Sequence, residues 1–194
     1  MNALILGGTR GIGRAVAKLL DEHGWDVVAY GRHHFDICAV GAKHIYTLKH
    51  DADTGGCYDA FVYCAGDVTV TGERAFAYPI WFYRLTTDYT HLWNNGCKIV
   101  VVSSVAVEKP ARINPHYAAA KAALEHYALT VSGSDMAKKK HWRVEIVRFD
   151  LVGTDMLRQL PQPLDVSDRK YISAELAAAE IINRIDPNWL WVKE

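Results

Sequence analysis

Ala3-Leu4-Ile5-Leu6-Gly7-Gly8-Thr9-Arg10-Gly11-Ile12-Gly13, near the start of the 194-residue chain, is the stretch on which the fold turns. Its apolar run has the length of a buried strand and stops abruptly at the glycines. Beyond them Ile12, Ala15, Val16, Leu19 and Leu20 recur at helical spacing. Strand, glycine turn, helix is the order in which backbone amides can close on a pyrophosphate, with the partial positive charge of a helix N-terminus behind them. The spacing is Gly-x-x-x-Gly-x-Gly (Gly7, Gly11, Gly13), which differs from the commoner dinucleotide fingerprint. Isolated glycine motifs are weak signals; the position of this one, directly after the first strand, points to nucleotide binding.

Working outward, Gly24 closes the helix and Asp26 to Tyr30 reads as a second strand ending at Gly31-Arg32. That strand end normally meets the adenosine ribose, where a carboxylate would serve NAD. No carboxylate stands there; Arg32, with Arg10 inside the glycine turn, offers guanidinium groups suited to a 2′-phosphate, the alternative for either arginine being a solvated surface charge. NADP(H) is therefore the expected cofactor. His44 to Leu48 is the expected third strand and Asp59 to Tyr63 the fourth, ending at Cys64-Ala65-Gly66. The link Lys49 to Tyr58 has no helical period. Extended, ten residues reach about 33 Å, enough for three strand spacings of about 14 Å in all and a return of about 17 Å, so a shortened crossover without a helix is expected. Asp51, within it, either meets the adenine amino group or makes a turn.

Ala75 to Trp93 is rich in aromatics and is expected to be helical after Pro79, with Asn94-Asn95-Gly96 as its stop. Cys97 to Val102 is apolar throughout, as a parallel strand covered on both faces would be. A helix is expected from about Pro115 to Lys138, a sixth strand from Arg143 to Phe149, a helix capped by Ser173 and running to Arg184, and a last strand from Trp189 to Val192.

Composition narrows the classes. The chain carries 22 acidic and 22 basic side chains, so no strongly basic face is expected and nucleic acid is disfavoured as a partner. No run approaches the roughly 20 apolar residues that would cross a bilayer, and the N-terminus reads as a strand and not as an export signal; no membrane partner and a cytoplasmic location are expected. Cys38, Cys57, Cys64 and Cys97 lie far apart, and the nine histidines show no ligand spacing, so no metal site is expected.

Tyr117-Ala-Ala-Ala-Lys121 adds chemistry. Residues four apart share one helical face, so the ammonium can lie close to the phenol and favour the phenolate, whose ordinary pKa of about 10 is too high for proton transfer at neutral pH. The pattern alone is common on helices. Here Ser104 closes the apolar strand just upstream.

These pieces together resemble the short-chain dehydrogenase/reductase family over nearly the whole chain. Gly7-Gly-Thr-Arg-Gly-Ile-Gly-Arg-Ala15 looks like the wording of its ketoacyl-carrier-protein reductase branch, and Ser104 precedes Tyr117 by thirteen residues, as in that branch. The resemblance implies one NADP-binding domain over residues 1–194. Its fold would be α/β, a Rossmann-fold doubly wound parallel sheet of about seven strands with helices on both faces. It implies interconversion of a carbonyl and an alcohol on a small-molecule substrate, with Tyr117 as general acid/base, Lys121 lowering the phenol pKa and holding the nicotinamide ribose, and Ser104 bonding the carbonyl oxygen. Gly7, Thr9, Arg10, Gly11, Ile12 and Gly13 would cradle the phosphates, Ala65 and Gly66 would lie beside the cofactor, and Thr154 would meet its nicotinamide side. A homodimer or homotetramer through the helices of residues 79 to 94 and 115 to 131 is implied as well. The sequence departs from the family at Tyr63-Cys64, where two asparagines are usual, at Phe149-Asp150, where Pro-Gly is usual, and near Trp81, where a helical asparagine often completes the site. These departures admit a rival reading, an NADP(H)-binding sensor or structural protein with little turnover. The short segment after Thr154 leads us to expect a more open or smaller substrate pocket.

Overall fold

The protein was analysed as a computed structural model, which describes residues 1–31, 57–109, 114–159 and 171–188. Five strands lie in one sheet: β1 (Asn2–Leu6), β2 (Asp26–Tyr30), β3 (Tyr58–Tyr63), β4 (Trp93–Ser104) and β5 (Arg143–Phe149). The order is β2-β1-β3-β4-β5, and every pairing is parallel. A parallel sheet needs both faces covered. The alternation along each strand supplies them. Leu4, Leu6, Phe61, Tyr63, Ile99 and Val101 face one cluster, and Ala3, Ile5, Ala60, Val62, Val100 and Val102 face the other.

Helices fill both sides. On the first lie α2 (Ala77–Thr87) and α3 (Pro115–Gly133), whose Trp81, Phe82, Leu85, Leu124, Ala128 and Val131 meet the strands. On the second lie α1 (Gly11–Glu22) and, from the far end of the chain, a helix over Ala174–Ile185, with Val16, Leu20, Ala177, Ile181 and Ile182 turned inward. Ser173 caps that last helix by accepting the Leu176 N–H, as expected. The doubly wound α/β architecture expected from the sequence is thus the one observed. The expected strands His44–Leu48 and Trp189–Val192, and the shortened crossover before β3, lie outside the described residues. No described helix is long and apolar enough to cross a membrane.

Three boundaries differ from expectation. Asn94-Asn95-Gly96 does not end a helix; it lies inside β4, which pairs Tyr58 with Trp93 and then Ala60 with Lys98, three more residues on β4 than on β3. The Asn94 amide bonds the Asp59 carboxylate at 2.7 Å, Trp142 Nε1 bonds the Asn94 carbonyl at 3.0 Å, and Gly96 takes the left-handed φ of 77° that the bulge requires. Second, α2 begins ahead of Pro79, which is tolerated because the first turn has no carbonyl partner for that nitrogen. Third, the helix expected to Lys138 stops at Gly133. Ser134 turns extended, and its hydroxyl accepts the Ala137 N–H to cap α4 (Asp135–Lys140).

At the centre Phe61 stacks on Trp93 with ring centroids 4.4 Å apart, and Trp93 Nε1 donates to the Leu85 carbonyl at 2.9 Å. Phe61, fully buried, touches the sheet, α2 and the start of β4 at once. Phe61→Ala should therefore lower the unfolding free energy by about 3–5 kcal/mol in urea denaturation, whereas Leu129→Ala, at a position 63% exposed, should change it by less than about 0.5 kcal/mol.

Candidate functional site

The chain goes from β1 outward to β2 and later returns to place β3 on the other side of β1. Beyond the C-terminal ends of those strands, where such a reversal opens a crevice, lies a cavity of about 160 Å³. Gly7, Thr9, Arg10, Gly11, Ile12 and Gly13 line it on one side, and Ala65, Gly66 and Thr154 on the other. Arg32 and Asp51 lie outside the described residues.

Backbone bonding decides which amides can serve a ligand. The N–H groups of Gly7 and Gly8 donate to the Tyr30 carbonyl at 2.8 and 3.0 Å, so they hold the turn against β2. Gly7 lines the cavity as expected of a cradle residue, with its own amide engaged by β2. The first turn of α1, over Gly11 to Gly13, has N–H groups with no intrahelical partner and lines the cavity; Arg10, the N-cap, makes no side-chain capping bond. The turn is tight. A Cβ on Gly13 would stand 2.3 Å from the Gly7 carbonyl oxygen, and one on Gly11 would stand 3.2 Å from the Thr154 methyl.

Next to this cavity, and sharing the walls Ala65, Gly66, Asp67 and Tyr78 with it, is a much smaller one bordered by Tyr117 and Lys121. Both are on α3. Its N-cap Asn114 accepts the Tyr117 N–H at 2.9 Å and donates its amide to the Val68 carbonyl, which ties the start of α3 to the loop after β3. Ser104, the last residue of β4, accepts the Ala106 N–H at 3.2 Å and also hydrogen-bonds the Tyr117 side chain. The structure therefore brings Ser104, Tyr117 and Lys121 together.

Their electrostatics differ from expectation. Burial pushes the Tyr117 phenol above its ordinary range, and the hydrogen bond from Ser104 only partly draws it back. Lys121 Nζ lies over the ring face, 5.8 Å from the centroid, and its hydrogen bonds go to the carbonyls of Val102 at 2.8 Å and Ala65 at 3.5 Å. Burial also pushes the Lys121 ammonium down to about 8, against opposing pulls from Cys64 and Glu125. Cys64, itself pushed up to about 12 by burial, is a neutral thiol at pH 7.

Several residues near the site carry no sequence signal. Asp67 and Tyr78 border both cavities, and Asp67 accepts the Thr69 N–H and hydroxyl. Tyr63, at one departure from the family pattern, donates its hydroxyl to the Tyr78 carbonyl at 2.6 Å. Trp81, at another, is buried in the core with the Arg84 guanidinium over its ring and borders neither cavity. Only the Ser/Thr/Asn-before-helix pattern at Asn114-Pro115 could have been found in advance.

Residues 80–165 match the family described as short chain dehydrogenase. Comparison with curated protein sequences gave no match. Among solved structures, the 3-alpha-hydroxysteroid dehydrogenase from Pseudomonas sp. B-0831, complexed with NADH, is 21% identical over 96% of this chain and 90% of its own, with a TM-score of 0.79. A short chain dehydrogenase from Burkholderia cenocepacia J2315 in complex with NADP is 21% identical over 94% and 89%, with a TM-score of 0.77. A small-chain dehydrogenase in complex with NADPH is 22% identical over 96% and 91%, at 0.72.

The packing of the turn has a measurable consequence. Gly13→Ala should destabilise the protein by about 1–3 kcal/mol or more, whereas Gly133→Ala, where a Cβ meets open space, should be neutral or slightly stabilising in the same denaturation assay. A second expectation follows from Lys121. A lysine whose folded pKa of about 8 lies below its ordinary 10.5 is bound to a proton more readily in the unfolded chain, so stability rises with pH between those values. Denaturation from pH 7 to 10.5 should show wild type gaining on Lys121→Met as pH rises, with the gain complete above 10.5 and absent below 8.

Proposed function

We propose that this chain, a short chain dehydrogenase by its match over residues 80–165 and by its fold, is an NADP(H)-dependent oxidoreductase that interconverts a carbonyl and an alcohol. A single observation carries the reading: Ser104, Tyr117 and Lys121, distant in sequence by up to seventeen positions, converge beside a glycine-walled cavity at the sheet's C-terminal edge. The cavity suits a dinucleotide's pyrophosphate, since Gly13 lets the first turn of α1 close on the Gly7 backbone and Gly11 leaves no side chain between that turn and Thr154. When bound, NADP(H) supplies or receives the hydride.

The residues of the chain then have separable tasks. The first-turn amides over Gly11 to Gly13 would hold the pyrophosphate, with Thr9 and Ile12 lining the turn and Thr154, against Gly11, closing the opposite wall near the nicotinamide. Ala65 and Gly66 form the shared wall between the cofactor cavity and the Tyr117 side. Tyr117, protonated throughout the neutral range, gives its proton to the substrate carbonyl oxygen, and Ser104 donates to the same oxygen. Lys121 keeps a positive charge beneath the ring, which favours the phenolate left after the proton has gone, and would hold the nicotinamide ribose. Arg10 at the cavity wall, together with Arg32 and Asp51, would meet the adenosine end, the arginines on its 2′-phosphate. Solved structures of this fold hold NADH, NADPH or NADP, so the choice rests on those arginines.

The rival reading, a cofactor-binding protein with little turnover, has one observation in its favour: the cavity at Tyr117 itself is only about 10 Å³. Two further elements complete the proposal: one domain over residues 1–194, acting on a small carbonyl or alcohol in the cytoplasm, and a homodimer or homotetramer. For the latter, Ile80 and Tyr83 on α2 and Leu129 on α3 stand 47%, 36% and 63% exposed on two helices that pack together, with the Tyr83 and Tyr127 rings 4.8 Å apart. Such apolar surface suits burial between copies.

The tests are direct. NADPH oxidation against a panel of ketones, aldehydes and quinones should show turnover that Tyr117→Phe lowers by roughly 10²–10⁴-fold; tight NADPH binding with no turnover on a broad panel supports the rival. Arg10→Ala and Arg32→Ala should each weaken NADPH by about 1.5–3 kcal/mol more than NADH in fluorescence titrations. In sedimentation, Ile80→Glu/Leu129→Glu should shift an oligomer toward monomer.

A further inference from the structure

We propose that Glu125 is a positioning residue for this site: clamped by Arg148, it keeps the buried Lys121 ammonium charged and so sets the alkaline edge of the working pH. The proposal rests on the catalytic reading above and deepens it.

Glu125 follows Lys121 by one helical turn on α3, and both are buried, at 7% and 6% exposure. A carboxylate so placed must have partners. Arg148, on β5, supplies them with a two-pronged bond, Nε to Oε1 at 2.8 Å and a terminal nitrogen to Oε2 at 2.6 Å. The other terminal nitrogen of Arg148 reaches Glu108 at 3.6 Å, at the end of the loop that follows Ser104. Burial works to raise the Glu125 carboxyl, but the two-pronged hydrogen bond from Arg148 and the charges of Arg148 and Lys121 outweigh it, so Glu125 is ionised at neutral pH.

The groups around Lys121 can be sorted by element. From the end of β3 come Cys64, a neutral thiol at pH 7, and the Ala65 carbonyl. From β4 come the Val102 carbonyl and the Ser103 hydroxyl beside Glu125, and from α3 Tyr117 and Glu125. Asp67, in the loop after β3, shares the small cavity, but its carboxylate is engaged with Thr69. Among the described residues Lys121 itself bonds only neutral carbonyls. Glu125 is thus the carboxylate that offsets the desolvation of the ammonium, and Arg148 fixes where that carboxylate sits while keeping its other face toward solvent.

The experiment titrates the Lys121 ε-ammonium by heteronuclear NMR in the full-length protein, with Lys121→Arg to assign the signal, and in parallel measures NADPH-dependent turnover against pH. Glu125→Gln keeps the shape and removes the charge; the Lys121 midpoint should fall by about one unit and the alkaline limb of the pH profile should move with it, a loss approaching tenfold at alkaline pH. Glu125→Asp should recover most of the shift, and Asp67→Asn should leave the Lys121 midpoint in place. Should an unpaired Arg148 prevent folding, Glu125→Gln/Arg148→Met removes both charges and the same downward shift is expected. A loss of thermal stability with an unmoved midpoint makes Glu125 merely structural and overturns the proposal, as does an Asp67→Asn shift as large as that of Glu125→Gln. A moved midpoint in a protein that turns over nothing upholds the charge assignment and removes the catalytic reading instead.

Discussion

A lysine ammonium with its residue 6% exposed must find its hydrogen bonds inside the protein, and at this sheet edge Lys121 finds them on the backbone. Removing a charge from water costs several kcal/mol unless dipoles replace the lost solvation. The carbonyls of Val102 and Ala65 do so, and in doing so they pin α3 to the ends of β4 and β3. Tyr117, one turn upstream, inherits its place from that bond. Gly66 belongs to the same constraint, since a Cβ there would stand 3.2 Å from Nζ.

The N-terminal half is held by a different force, steric contact. Gly13 lets α1 approach the Gly7 carbonyl, and the Tyr30 carbonyl consumes the amides of Gly7 and Gly8, so the turn cannot open without losing β2. The two halves meet at residues 64 to 67, which wall both cavities in part. This is also where the sequence leaves the pattern of the family it resembles. Tyr63 bonds the Tyr78 carbonyl and packs edge-on against Phe82, so it joins β3 to α2 at the place where α2 enters the cavity wall.

Legibility in the sequence followed the range of the interactions. β1 and β3 lie within one residue of where their apolar runs place them, because burial on both faces is written into the residues themselves. The Asn94-Asn95-Gly96 stretch misled because a turn signal does not reveal that Tyr58 will pair with Trp93 across it, or that Asp59 and Trp142 will hold the bulge. Likewise the run through Ser134 continues a helical pattern, and only the Ser134 cap shows the break. At the site, the contiguous glycine turn and the i,i+4 pair Tyr117 and Lys121 were visible. Asp67, Tyr78, Glu125 and Arg148 were not, because each acquires its significance from a residue twenty or more positions away or from a wall that exists only once the sheet is formed.

What the fold adds to the visible pair is a sorting of protonation states. Proximity in a helix suggested that Lys121 would bring the Tyr117 phenol below its ordinary range, yet burial acts on both groups in the direction of neutrality and leaves the phenol above it. The outcome at neutral pH is a protonated phenol, a largely charged ammonium, a neutral Cys64 and an ionised Glu125. Neighbouring groups with separated pKa values are what acid–base chemistry at one pH requires. A phenol that begins protonated is disposed to give its proton, and the nearby cation matters most after the proton has left, when it faces a phenolate in a site too dry to screen either charge. The electrostatic advantage therefore belongs to the state reached during proton transfer and not to the resting one, which is the condition for a fixed charge to speed a reaction instead of merely stabilising the site.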